Sequence, residues 1–421
     1  MKAGASIQVE LLVVGEEVLS GATLDTNSGD VARALRASGL GVARAAIVGD
    51  RPADIRDAAR AALERAHVLV VTGGLGPTPD DCTKEALAEL FADALELDAA
   101  TLEEIRARFA ARGIVMPESN RKQAFLPQSA RKIPNPVGSA PGVHWVRADA
   151  EVFLLPGVPA EMRAMLATYV VPRLRELVPG AAIRAAEFRT TGIAESAVVD
   201  KLRDVLARDA ACAWGFYAGP QGVDVRVQQA ESGGAGFEST CNAVRAALGP
   251  YIYTEEPGVP LEEIVHRLLV ERRHRLAVAE SCTGGLLGGR ITSVSGSSAC
   301  FVGGFVTYAD TAKQEWLGVP EELWRAHGAV SGPVAAAMAR AVRARAGADL
   351  GLAVTGIAGP TGGTPDKPVG LTFLALAAAN GCWTRRQLFG THRHLNRELA
   401  CQRALDLVRR YELGLDIGEP A

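Results

Sequence analysis

Short apolar runs alternate along this chain with longer stretches in which apolar positions recur every three or four residues, and the pattern falls into three parts. In the first, from Ile7 to about Arg173, the pattern predicts a buried strand over Val9–Val14 and a helix over Asp25–Ser38. A strand over Gly41–Val48, a helix over Pro52–Arg65 and a strand over Val68–Thr72 follow. Apolar strands separated by single helices imply a parallel sheet covered on both faces, with ligands at the carboxyl ends of its strands. The second part, from about 175 to 255, reads as strand Ile183–Thr190, helix Ala194–Ala207 and strands Cys212–Tyr217 and Val223–Gln228. A glycine-rich loop, helix Phe237–Leu248 and strand Tyr251–Tyr253 complete a small β-α-β-β-α-β unit, expected to be a spacer or interface module.

The third part runs from near Pro260 to about Asp416. Its pattern predicts helices Leu261–Glu271, Thr311–Leu317, Gly332–Ala346 and Asn396–Tyr411. The predicted strands are Leu276–Ala279, Phe301–Tyr308, Leu350–Val354, Gly370–Ala377 and Thr384–Phe389. The expected class is α/β: two three-layer α/β domains, 1–173 and 258–421, joined by a small α/β domain at 174–257.

Candidate chemistry concentrates in the third part. Residues 276–285, Leu-Ala-Val-Ala-Glu-Ser-Cys-Thr-Gly-Gly, carry an apolar strand into a hydroxyl- and thiol-bearing turn that opens the helix Leu286–Ile291. Backbone N–H groups are unpaired at a helix start, so a hydroxyl there can be activated and nearby amides can hold an oxyanion. Ser281 is the candidate nucleophile, and the amides of Cys282, Thr283, Gly284 and Gly285 are candidate donors. Capping is the plainer use of such a turn, and Cys282 is a competing nucleophile. Downstream, Tyr308 falls at a strand end, Asp310 or Thr311 would cap the next helix, and Lys313 lies in its first turn. A cation there has the wrong sign for the helix dipole, which suits a general base. A surface Lys beside a half-buried Tyr is the alternative. The glycine- and threonine-rich loop after Thr355 offers backbone N–H groups suited to a phosphate, although it has no Walker sequence.

In the first part, Gly73-Gly-Leu-Gly-Pro-Thr-Pro-Asp-Asp-Cys-Thr-Lys-Glu85 follows the third strand. Its glycines admit a ligand close to the backbone, and Asp80 and Asp81 either cap the helix Lys84–Phe91 or hold a hard cation such as Mg²⁺. Residues 135–142 and 152–162 add turn-rich loops of related composition.

Ala-Glu-Ser-Cys-Thr-Gly-Gly, Val-Thr-Tyr-x-x-x-x-Lys and Val-Thr-Gly-Ile-Ala-Gly-Pro resemble the C-terminal domain of the CinA (competence/damage-inducible) family, a nicotinamide mononucleotide amidohydrolase. The resemblance implies Ser281 as nucleophile, with Tyr308 and Lys313 in proton transfer and no cofactor. It implies that Thr355, Gly356, Ala358, Gly359, Gly362 and Gly363 hold the nucleotide, with a phosphate contact from Arg393 or Arg397. Asp310 stands where the family usually has Asn, and Gly390-Thr-His-Arg393 replaces its Gly-Asp-Arg. Gly15-Glu-Glu-Val-Leu-Ser-Gly21, Asp25-Thr-Asn27 and Gly-Gly-Leu-Gly-Pro-Thr are similar to that family's front domain, which is molybdopterin-biosynthesis-like, with Val18 and Ser20 as departures. Some members hydrolyse ADP-ribose there with a divalent metal and potassium. On that likeness the ligand-binding residues are Gly73, Gly74, Gly76, Thr78, Asn135, Gly138, Gly157, Pro159 and Glu161, with Asp80 and Asp81 for Mg²⁺ and K⁺ as a further ion.

The 421 residues are 48% hydrophobic, enough for several cores, and the formal net charge of −3 makes no electrostatic case for nucleic acid. Seven cysteines, an odd number without CxxC spacing, point to reduced thiols. With no signal peptide and no membrane-length apolar run, the expectation is a cytoplasmic enzyme of small nucleotides that forms a homodimer. Two alternatives to the amidohydrolase stay open: a metal-dependent ADP-ribose hydrolase in the first domain, and a pterin- or nucleotide-binding scaffold without catalysis.

Overall fold

The computed structural model describes residues 7–36, 38–147, 149–177, 183–209, 211–230 and 236–421. Position 37, inside the helix expected to reach Ser38, and 231–235, in the expected glycine-rich loop, lie outside the described residues. The chain divides into two compact units, one reaching to Arg184 and one holding most of the rest.

The first unit runs β1 (Val9–Val14), α1 (Glu16–Leu19), α2 (Asn27–Arg36), β2 (Val42–Val48), α3 (Pro52–Leu63), β3 (Val68–Thr72) and α4 (Thr83–Leu90). It continues through β4 (Leu95–Leu97), α5 (Ala99–Ala110), β5 (Phe125–Pro127), β6 (Arg131–Ile133), β7 (Gly142–Val146), β8 (Glu151–Leu155), α6 (Pro159–Met165) and α7 (Val171–Leu177). The sheet order is β2-β1-β3-β8-β7-β6. Its first four strands are parallel, and β1 and β3 are buried along their whole length, as their mostly apolar sequences predicted, with Glu10 of β1 paired to Arg65 (2.9 Å). The sheet is nevertheless mixed: β7 runs antiparallel to β8, and β6 to β7. The connection from Val146 to Glu151 is too short for a helical crossover, so the chain must reverse. Apolar clusters lie on each face, one with α2, α6 and α7 and the other with α3 and α4. Helix α5, started by Asp98 accepting from the Thr101 N–H (2.6 Å), was not read from the sequence.

The second unit opens with β9 (Ile183–Thr190), α8 (Glu195–Arg208), β10 (Ala213–Gly219), β11 (Gly222–Ala230), α9 (Phe237–Leu248) and β12 (Ile252–Thr254), in the order anticipated. These strands form a sheet of order β10-β11-β9-β12. Next come α10 (Leu261–Arg272), β13 (Leu276–Glu280), α11 (Leu286–Thr292), β14 (Phe301–Val306), α12 (Asp310–Leu317), α13 (Glu321–His327) and α14 (Gly332–Ala346). The chain ends with β15 (Leu350–Gly356), β16 (Leu371–Ala378), β17 (Gly381–Leu388), α15 (Arg393–Glu412) and β18 (Glu419–Pro420).

The larger sheet of this unit has the order β14-β13-β15-β16-β17-β18, with β14, β13 and β15 parallel and the remainder antiparallel. Alternate residues of β13 serve opposite faces. Leu276 and Val278 pack with α10, α11 and α15, while Ala277 and Ala279 pack beneath α14. The α/β class with helices on both faces of each large sheet is as expected. Among the described residues no helix is long and apolar enough to cross a membrane.

Candidate active site

The parallel strands β13, β14 and β15 end side by side, and the turns that leave them build the site. β13 ends at Glu280, and Ser281 continues it by one hydrogen bond, its N–H donating to the Val354 carbonyl (2.9 Å). The turn then closes with the Gly284 N–H on the Ser281 carbonyl (3.1 Å), and Gly284 and Gly285 take left-handed conformations (φ 58° and 91°). Those values demand glycine, so the Gly-Gly pair is a requirement of the turn.

The helix start is not empty, contrary to the expectation that its amides await an oxyanion. Glu280, 2% exposed, folds its carboxylate over it. Glu280 Oε2 accepts from the Gly285 N–H (2.9 Å) and the Leu287 N–H (3.1 Å), and Oε1 from the Gly288 N–H (2.8 Å). Gly284 and Gly285 therefore drop out as oxyanion donors, because their N–H groups are already engaged. Cys282 and Thr283 remain. Glu280 was quoted in the motif but given no role, since a strand's last residue shows no sign in sequence of reaching the next helix.

Ser281 and Cys282 are almost equally buried (7% and 6% exposed), so what separates the two candidates is what the thiol packs against. The Cys282 thiol packs in the apolar layer with Val278, Leu287 and Val354, and a Cβ on Gly356 would lie 3.1 Å from its sulfur. Burial pushes the thiol up to about 12, against the pull of Lys313 and Arg397.

Tyr308 lies two residues beyond β14, which ends at Val306, and is 56% exposed; the last rung of the pairing is the Thr307 N–H on the Glu280 carbonyl (2.7 Å). α12 begins at Asp310 after Ala309, and neither Asp310 nor Thr311 caps it. Asp310 instead accepts from Lys313 Nζ (3.1 Å), which also reaches the Tyr308 carbonyl (3.5 Å). Lys313 is itself only 2% exposed. The Tyr308 hydroxyl accepts from Arg393 (2.7 Å), and among the described residues no hydrogen bond joins Ser281 Oγ to Tyr308 or Lys313.

The first turns of α15 gather the remaining parts. Arg393 donates to the Gly359 carbonyl (2.9 Å) as well as to Tyr308. Arg397 donates through Nε and Nη2 to the Thr283 carbonyl (3.2 and 2.7 Å), so it braces the nucleophile turn rather than standing free for a phosphate. Asn396, unread as a site residue, donates to the carbonyls of Ala358 (3.0 Å) and Gly390 (2.9 Å). The Thr355 hydroxyl is committed to the Ala329 carbonyl (2.9 Å), and a Cβ at Gly356 would lie 2.6 Å from Thr372 Oγ1. Gly362 and Gly363 are exposed, and a Cβ on Gly363 would lie 2.8 Å from the Val369 nitrogen of the same loop.

In the first unit a cleft of about 500 Å³ opens at the carboxyl ends of β1, β3 and β8. Gly73, Gly74, Gly76, Asp80, Asp81, Gly157, Pro159 and Glu161 line it. A Cβ at Gly73 would lie 2.0 Å from the Val14 carbonyl, so this loop runs against the strand end as close as glycine permits. Asn135 stands behind the wall: its amide donates to Glu161 (2.6 Å) and its oxygen accepts from the Gly138 N–H (2.8 Å). Asp81 does not cap α4, whose preceding residue is Cys82; it accepts from the Thr78 N–H (2.9 Å) and closes the loop on itself. Hydrogen bonding from Thr78 holds the exposed Asp80 carboxyl below its ordinary range. Among the described residues no three His, Cys, Asp or Glu side chains cluster as a metal cage. Lys84, buried beneath this loop, donates to the Lys122 carbonyl (2.9 Å) and is lowered to about 8 by burial.

Three family descriptions match consecutive parts of the chain. The probable molybdopterin binding domain matches residues 10–176, the damage-inducible protein CinA KH domain 186–254 and the CinA C-terminal domain 259–412. The CinA-like protein of Gemmatimonas aurantiaca is 41% identical over 416 residues, covering 96% of both chains. The CinA-like protein of Parasynechococcus marenigrum is 42% identical over 414 residues, 96% of this chain and 98% of that one. The crystal structure of a competence/damage inducible protein from Agrobacterium tumefaciens is 40% identical, covering 35% of this chain and 93% of that one with a TM-score of 0.34.

Proposed function

Because the chain belongs to the CinA family along nearly its whole length, we propose that its C-terminal domain hydrolyses the carboxamide of nicotinamide mononucleotide to nicotinic acid mononucleotide and ammonia. One observation carries this reading: the Ser281 turn, buried Lys313 and the Arg393-bound Gly359 loop gather at the carboxyl end of one sheet, while the competing thiol packs into the apolar layer, which raises its pKa.

Ser281 Oγ attacks the carboxamide carbon, with Lys313 Nζ as the proton acceptor. The carbonyl oxygen becomes an oxyanion facing the Cys282 and Thr283 N–H groups, the donors of the turn not already spent on the protein. Collapse of the tetrahedral intermediate expels ammonia, which takes the proton back from Lys313. Water then cleaves the acyl-serine by the same route in reverse. Arg393, exposed at the start of α15 and joined to Tyr308, is the cation available to the nucleotide phosphate. Arg397 positions the turn.

The test is ammonia release from nicotinamide mononucleotide by the full chain, with and without chelator. Ser281→Ala and Lys313→Ala should each lower turnover by about a thousandfold or more while remaining folded. Near-normal turnover in either folded variant removes that residue's role. Wild-type protein that releases no ammonia ends the reading.

The cleft of the first unit supports a second activity, metal-dependent cleavage of ADP-ribose to AMP and ribose phosphate. Asp80 and Asp81 would hold Mg²⁺, which when bound would neutralise the phosphates, and the glycine loop would face the pyrophosphate. AMP formation abolished by chelator is the expected result. K⁺ as a further ion and a homodimeric assembly remain part of this proposal, along with a cytoplasmic setting.

A further inference from the structure

Glu280 is a buried carboxylate that forms no ion pair among the described residues; three backbone N–H groups of the following turn and helix donate to it. Charge-assisted bonds of this kind are short and strong, and a carboxylate is the one side-chain group able to receive three at once as an acceptor only. Glu280 immediately precedes Ser281, and the amides it holds lie five, seven and eight residues along the chain. The segment between is therefore tied at both ends to one rigid group. On the other side Arg397 holds the Thr283 carbonyl, and the Gly284 N–H is spent on the Ser281 carbonyl. Both polar groups of the Thr283–Gly284 peptide are thus assigned, which leaves the peptide no freedom to flip.

We propose that Glu280 is a positioning residue for the Ser281 turn: by occupying the N–H groups of Gly285, Leu287 and Gly288 it fixes where Ser281 Oγ stands and confines the oxyanion to the Cys282 and Thr283 amides. The proposal rests on Ser281 being the nucleophile. It also replaces the idea that the bare helix start favours negative charge at Ser281, because an anion already sits there and opposes a second one. Catalytic help must then come from placement, where misplacing the reacting atom by about 1 Å costs about a hundredfold.

Gly288 gives an independent handle, since a Cβ there would lie 3.3 Å from Glu280 Oε1. That is tight enough to nudge the carboxylate without a clash, and alanine in place of glycine favours the helix.

The experiment compares wild type, Glu280→Gln and Gly288→Ala by ammonia release, by covalent labelling of Ser281 with a fluorophosphonate, in which the serine oxygen bonds phosphorus and fluoride leaves, and by thermal midpoint. Glu280→Gln should lower kcat and the labelling rate by about a hundredfold, with KM changed by less than about threefold. Gly288→Ala should lower both rates by a smaller factor while its midpoint holds or rises. If Glu280→Gln fails to fold, Gly288→Ala alone decides. Wild-type kcat and labelling in a folded variant overturn the proposal, as does a loss confined to KM. A wild type that labels at Ser281 yet releases no ammonia overturns the substrate reading, while its labelling rates still judge Glu280. A wild type that does neither overturns both.

Discussion

Cys282 and Ser281 are adjacent and almost equally buried, but they differ in chemistry. A thiol is intrinsically the better nucleophile, but only as thiolate, and burial that lifts Cys282 to about 12 leaves almost none at neutral pH. Cys282→Ala should therefore keep ammonia release within about threefold of wild type, since it removes a buried sulfur and no reacting atom. A folded Cys282→Ala variant without activity would move the nucleophile to the thiol. Ser281 was legible in sequence because everything that singles it out is local: an apolar run, a small polar turn, two glycines and a helix. Lys313 was legible for its place on α12 but not for its burial or its bond to Asp310. The capping roles expected of Asp310 and Asp81 failed for one reason: each carboxylate had a nearer competing donor, Lys313 Nζ in one case and the Thr78 N–H in the other.

Helix α15 shows how much one element can organise. Its first turns hold Tyr308, Gly359, Ala358 and Thr283 through Arg393, Asn396 and Arg397. Further along, Gln402 donates to the Gln221 carbonyl (2.6 Å) in the small domain and accepts from Arg290 of α11 (2.7 Å). Near its end Arg409, 1% exposed, pairs with Asp406 and donates to the Pro250 carbonyl (2.7 Å). The small βαββαβ domain is thus hydrogen-bonded to the helix that carries Arg393 and Arg397. Removing one partner of a buried pair strands the other, so Arg409→Ala should lower stability by about 3–5 kcal/mol in guanidinium denaturation. Asp406→Leu with Arg409→Met should lose much less. Equal losses would mean that the carbonyl contacts, and not the ion pair, carry the effect. The sequence pattern located this helix but began it at Asn396, because a Thr-His-Arg lead-in lacks an apolar period, and so left Arg393 outside it.

At the scale of the whole molecule, each unit builds its own cores and its own candidate site at the carboxyl ends of parallel strands, where unpaired strand-end groups and loop glycines leave room for ligands. The two proposed chemistries also differ in kind, one resting on a serine and the other on a divalent metal. A chelator should therefore abolish AMP formation from ADP-ribose and leave ammonia release unchanged, and Ser281→Ala should do the reverse. Parallel measurement of both products on one preparation checks this. A chelator that stops ammonia release would show that the deamidation scheme lacks a metal it needs.

The sequence alone determined the α/β class, the family, the order of most strands and helices, and the segments that carry the chemistry, because period-two and period-3.6 patterns and glycine-bearing turns are local properties of the chain. Tertiary structure decided which polar groups were already taken. Glu280 over its helix start, Arg397 on Thr283 and Thr355 on Ala329 all depend on which partner lies nearest once the chain has folded. Nearness between residues far apart in the chain is set by packing, and no local pattern encodes it.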